Sequence, residues 1–222
     1  MNFKNIMYSL PGIIIGLTVH EYCHALAACK LGDFTAREQG RMSFNPLKHI
    51  DLIGFLFIIF AGFGWAKPVQ FNPENLSRPR RDKAVIAAAG PLSNLVLAFI
   101  FIGLVWGWLA LVQAAVSGQI FGTSFQFLLA RVIFHIYAAL YYGAMINMGL
   151  FIFNLLPIPP LDGSHIVFSG LNISPETERS IMKIGAPLLF IILIIQNRVH
   201  ITILPIGKIV NAILNIFMPG TD

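Results

Sequence analysis

The stretch NIMYSLPGIIIGLTVHEYCHALAAC, Asn5–Cys29, decides how this chain is read. It is long and apolar enough for a helix that crosses a bilayer, which needs about 20 such residues, yet its second half holds His20, Glu21 and His24. A charged side chain at membrane depth costs at least about 2.5–3.5 kcal/mol on insertion scales, so three ionisable groups together point to function. Working outward, five further stretches are mainly apolar: Ile50–Ala66, Ala84–Leu111, Phe125–Leu156, Ile181–Ile195 and Ile201–Met218. Over all 222 residues 56% are apolar and 11% charged, against roughly 25% charged in a typical soluble domain. That excludes an ordinary soluble enzyme. The expectation is an all-α polytopic membrane protein of about five to six transmembrane or re-entrant segments, forming one integral membrane domain over residues 1–222.

The net charge of +5 sits in short loops beside the apolar runs, where membrane orientation and anionic headgroups account for it better than nucleic acid does. Only Lys4 precedes the first run, whereas Lys30, Arg37, Arg41 and Lys48 follow it, which places the N-terminus outside and the following loop in the cytoplasm. Lys67, Arg78, Arg80, Arg81 and Lys83 form the next basic group, so both loops prefer the same side. Ile50–Ala66 is short and contains Gly54, Gly62 and Gly64, which suits a re-entrant or tilted element. Turn residues at Asn45-Pro46 add an expected small membrane-associated β-hairpin near 37–49 and 65–72. Toward the C-terminus, Ile206, Ile209, Val210, Ile213, Leu214 and Phe217 keep helical spacing opposite Lys208, Asn211 and Asn215, so that helix either spans or lies in the interface. The only cysteines, Cys23 and Cys29, are separated by about 9 Å of helical rise, too far for a disulfide.

His20-Glu21-Tyr22-Cys23-His24 has the H-E-x-x-H spacing of a metalloprotease helix. At 100° per residue, the two imidazoles lie about 40° apart and one turn apart along the axis, so they can share one metal ion. Glu21 projects about 80° to one side, where a carboxylate reaches water at the metal without becoming a ligand. The competing reading is a set of satisfied polar side chains buried between helices. Two histidines are too few, because a catalytic zinc site has three protein ligands and an open position. NLLPIPPLDG, Asn154–Gly163, offers the third: Asp162 stands on proline-interrupted backbone beside a glycine, at the same expected depth. Cys23 and His165 are alternative third ligands.

HEYCH in a membrane span, Ala89-Gly90-Pro91-Leu92-Ser93-Asn94 and NLLPIPPLDG together resemble the site-2 protease family of zinc intramembrane metalloproteases, over roughly Pro11–Val167. The resemblance implies one Zn2+ per chain on His20, His24 and Asp162, with Glu21 as general base and Asn154 binding substrate or oxyanion. It also implies that the segment around Gly62–Val69 is a membrane-associated element near the substrate path; some members carry a PDZ or a CBS module, for which this sequence is expected to have no room. The expected activity is zinc-dependent endopeptidase hydrolysis within or near transmembrane segments of membrane protein or peptide substrates. The expected setting is a multi-pass protein of a prokaryotic cell membrane, among lipids, with its site toward the cytoplasm. The alternative is a non-catalytic zinc-binding membrane protein, a transporter or sensor. The apolar outward half of the first span, Ile6–Val19, argues against a route through it.

Overall fold

The computed structural model describes residues 3–61, 63–117, 123–199 and 202–218. These form eight α-helices: α1 (Phe3–Lys30), α2 (Thr35–Glu38), α3 (Leu52–Ala61), α4 (Pro79–Ser117), α5 (Thr123–Asn154), α6 (Asp162–Gly170), α7 (Pro175–Val199) and α8 (Ile206–Phe217). Four are long and apolar enough to cross a membrane, within α1, α4, α5 and α7. At 1.5 Å per residue α3 and α8 reach only about 15 and 18 Å, half the roughly 30 Å hydrocarbon thickness. Against the five to six expected segments, the described residues thus hold four helices of spanning length, with α3 and α8 as shorter apolar helices.

Helices α1, α4 and α5 form the centre. Helices α1 and α5 run parallel, because Tyr8 meets His135, Gly12 meets Gly143 and Gly16 meets Asn147 in the same order along both. Helix α4 runs antiparallel to them, with Asn94 beside Gly16 and Ile86 beside His24. The two parallel backbones approach closely where both residues lack a Cβ: one built on Gly12 would stand 2.7 Å from the Gly143 Cα. Gly12→Ala is therefore expected to cost about 1–3 kcal/mol by overpacking, read as a lower thermal midpoint of the detergent-solubilised protein.

A second apolar cluster decides where α8 goes. Val210, Leu214 and Met218 join Ala98, Phe101, Ile102 and Val105 of α4 and Ala144 and Met148 of α5. Val210 and Leu214 are therefore covered by protein, while Ile209 and Phe217 of the same helix stay exposed.

Between α1 and α4 the chain makes no β-strand among the described residues. Where the sequence suggests a hairpin, the structure has a single antiparallel bridge, Ile50 to Ala66, extended by Lys67 N–H donating to the His49 carbonyl at 2.8 Å. Asn45 and Asn72 begin short 3₁₀ turns at Pro46 and Pro73 by accepting from Leu47 N–H and Glu74 N–H, and these turns replace longer pairing. Because Ile50 and Ala66 pair, both ends of the segment between them lie on one side. Its return is tight: a Cβ on Gly64 would fall 2.0 Å from the Gly54 carbonyl oxygen. Gly62 lies outside the described residues. Phe57, Phe63 and Trp65 then pack on Phe190 of α7.

Asp33 clasps this region to the end of α1. Its carboxylate accepts from Thr35 N–H, Thr35 hydroxyl, Asn72 N–H and the Asn75 amide. Burial works against its ionisation, but these bonds outweigh it and hold the carboxyl below the usual range. At the same end of the bundle, the proline-interrupted chain after α5 folds straight back into α6. Gly163 makes the reversal possible, since a Cβ there would lie 2.3 Å from the Leu155 carbonyl oxygen. The turn carries Asp162 toward α1.

Candidate metal centre

His20 and His24 sit one turn apart on α1 and face α4 and α6. Their Nε2 atoms are 3.0 Å apart, and the rings meet edge to face with centroids 4.6 Å apart. Asp162, the first residue of α6, completes the group. Its Oδ2 lies 3.2 Å from His20 Nε2 and its Oδ1 3.5 Å from His24 Nε2. One ligand atom from each of the three residues falls within 4.8 Å of the others. Both histidines and Glu21 are buried, at 6%, 9% and 7% exposure, so whatever these groups hold is shielded from bulk water.

Hydrogen bonding determines which nitrogens carry protons. His24 Nδ1 is 2.7 Å from the Ile86 carbonyl oxygen, which can only accept, so Nδ1 donates. The Asn94 amide nitrogen donates to the Gly16 carbonyl and to Asn147 Oδ1, which leaves Asn94 Oδ1 to accept from His20 Nδ1 at 2.7 Å. With Nδ1 the donor in each ring, a neutral imidazole at either position turns its Nε2 lone pair inward. Two lone pairs and a carboxylate converge, and buried Asp162 Oδ2 has no hydrogen-bond partner. Such a cluster is suited to holding a cation. The separations of 3.0, 3.2 and 3.5 Å suit a tetrahedral ion with ligands at about 2.0–2.2 Å, whose edges are roughly 3.3–3.6 Å. The donor set, two imidazoles and a carboxylate, is one that zinc accepts.

Other backbone contacts keep this centre open. Gly90 of α4 lies against both rings, and a Cβ there would fall 2.4 Å from His24 Nε2 and 2.7 Å from His20 Cε1. That gives the Ala89-Gly90-Pro91 element a physical role. Glu21 stays outside the ligand group. Its Oε2 accepts from Val69 N–H at 2.7 Å, within extended chain that is anchored at Lys67 by His49 and Arg41 and at Asn72 by Asp33. The resemblance marked the segment ending at Val69 but not its contact with Glu21; that position follows from the two anchors, with Pro68 between them having no N–H to donate.

The expected site residues divide accordingly. His20, His24 and Asp162 converge, with Glu21 beside them. Asn154, at the end of α5, donates to the Leu150 carbonyl of its own helix at 3.0 Å. Asn94 and Asn147 bond helices together, and Asn94 also orients His20. A buried amide within a span was the available signal. Cys23 is outside the ligand group. His165 instead meets Glu178 at 3.0 Å, and Glu178 also pairs with Lys83. Burial, with Lys83 nearby, holds His165 below its ordinary pKa despite Glu178.

A bundle of membrane-length helices around a buried two-histidine, one-carboxylate centre defines an integral membrane protein of the metallopeptidase type. The chain belongs to peptidase family M50, whose model matches residues 8–195. It is similar to "Putative zinc metalloprotease YwhC" of Bacillus subtilis, with 41% identity over 72% of this chain and 67% of that protein. It is also similar to "Putative zinc metalloprotease Rip2" of Mycolicibacterium smegmatis, with 28% identity over 78% of this chain and 60% of the relative. The chain thus spans about two thirds or less of the length of these relatives. No solved structure matches it.

Proposed function

We propose that the protein is a zinc-dependent endopeptidase that cleaves membrane protein or peptide substrates within or near their transmembrane segments. The observation that carries this reading is the buried convergence of His20, His24 and Asp162, with the Glu21 carboxylate beside them. His20, His24 and Asp162 would hold one Zn2+ per chain. Bound zinc supplies a Lewis acid that acidifies water and polarises a carbonyl. Glu21 takes the proton of the attacking water and delivers it to the leaving nitrogen. Asn94 and the Ile86 carbonyl hold the two imidazoles with Nε2 facing inward. Asn154 binds substrate or the developing oxyanion once its side chain leaves the Leu150 carbonyl.

In this reading residues 1–222 act as one membrane domain of a prokaryotic cell membrane, with the site toward the cytoplasm. The basic loops on either side of α3 support that orientation. The paired ends of Ile50–Ala66 support a re-entrant α3, and the extended chain through Val69 lies where a substrate segment would pass Glu21.

The deciding experiment incubates purified protein with single-span substrates, with and without a zinc chelator. Cleavage that stops on chelation and returns with zinc is expected; zinc binding without cleavage of any such substrate favours the transporter or sensor alternative. Asn94→Ala is expected to weaken zinc binding about 10–100-fold, the usual cost of losing a partner that orients a ligand, measured against a competing chelator.

A further inference from the structure

We infer that the first turns of α4 and the outer face of α6 form a binding site for the headgroup of an anionic phospholipid. A groove of about 530 Å³ runs between the two helices. Its floor is apolar, made by Ala84, Val85 and Ala88 of α4 and Ile166 of α6, and its polar end carries Arg80 and Arg81. The arginines stand one turn before the apolar run of α4, the level at which an inserted helix meets phosphates.

The basic end has no counter-ion of its own. Arg80 donates to the Asn172 side-chain oxygen at 2.9 Å, a neutral partner that orients the guanidinium without neutralising it. Arg81 has no hydrogen bond or ion pair among the described residues. The nearby acids are committed elsewhere: buried Asp82 accepts from Arg78 N–H, and Glu178 holds Lys83 and His165. Two guanidiniums at the mouth of an apolar groove match a phosphodiester with an acyl chain attached, because the planar fork suits phosphate oxygens and the floor suits hydrocarbon. Free phosphate would leave that floor uncovered. Helix α6 begins with Asp162, so a lipid bridging α4 and α6 would also steady the carboxylate of the metal centre.

The test uses the full chain in detergent and counts bound lipids by native mass spectrometry. Phosphatidylglycerol and phosphatidylcholine of identical acyl chains are compared, with inorganic phosphate as competitor. Preference for phosphatidylglycerol of about tenfold is expected, lost in Arg80→Gln/Arg81→Gln and kept in Lys208→Gln, a basic change on α8. Ala88→Trp, which fills the floor and leaves the arginines, is expected to lose it as well, with zinc content unchanged in both groove variants. Equal retention of the two lipids, an undiminished preference in either groove variant, or displacement by equimolar inorganic phosphate would overturn the assignment. Lipid counting does not read proteolysis, so its outcome is separate from that of the peptidase reading.

Discussion

With Glu21 replaced by Gln, cleavage of a single-span substrate is expected to fall by about 10²–10⁴-fold, the usual contribution of a general base, while zinc content stays at the wild-type level. The replacement is nearly isosteric. Its amide oxygen still accepts from Val69 N–H, so the extended chain keeps its anchor. The imidazoles are oriented by Asn94 and the Ile86 carbonyl, so the ligand group is untouched. What disappears is the ability to take a proton. Parallel measurement of cleavage rate and metal stoichiometry separates the two roles: full activity in the variant would remove Glu21 from the mechanism, and loss of zinc would make it a ligand.

Asp162→Ala is expected to abolish activity through the metal, weakening zinc binding by more than the roughly 10–100-fold cost of losing an orienting partner. Asp162 provides the only anion in the ligand group. Without it, two inward lone pairs remain 3.0 Å apart in a buried site, and a proton satisfies them more readily than a divalent ion with two protein ligands does. The backbone at this point is set by the close approach of Gly163 to Leu155, so the truncation removes the carboxylate and leaves the turn. Titration against a competing chelator gives the affinity. Cys23→Ser serves as the comparison and is expected to keep zinc; the opposite pattern, with zinc lost in Cys23→Ser and kept in Asp162→Ala, would reverse the ligand assignment.

Much of the site was legible before any fold was known, because bilayer energetics filter what a span carries. His20, Glu21 and His24 stand out in Asn5–Cys29 since each is costly there, and helical periodicity places both imidazoles on one face. Asp162 was legible for a weaker reason, as an acid on proline-broken backbone. The proton arrangement was not legible. It depends on Asn94 meeting Gly16, Asn147 and His20 at once, across three helices. The requirement at Gly90 was equally hidden, since it arises from imidazoles distant in sequence. The hairpin expectation failed where local turn chemistry at Asn45 and Asn72 ended pairing after one bridge.

The sequence by itself determined that this is a membrane protein with a helix of metal-ligand spacing, because composition, span length and the spacing within HEYCH are local properties governed by transfer energy and helix geometry. Only the tertiary structure decided which carboxylate reaches the two histidines, which amide and carbonyl turn their Nε2 atoms inward, and which backbone N–H holds Glu21. Those relations join residues far apart in the chain, and glycines at Gly16, Gly90 and Gly163 leave the room that several of them need.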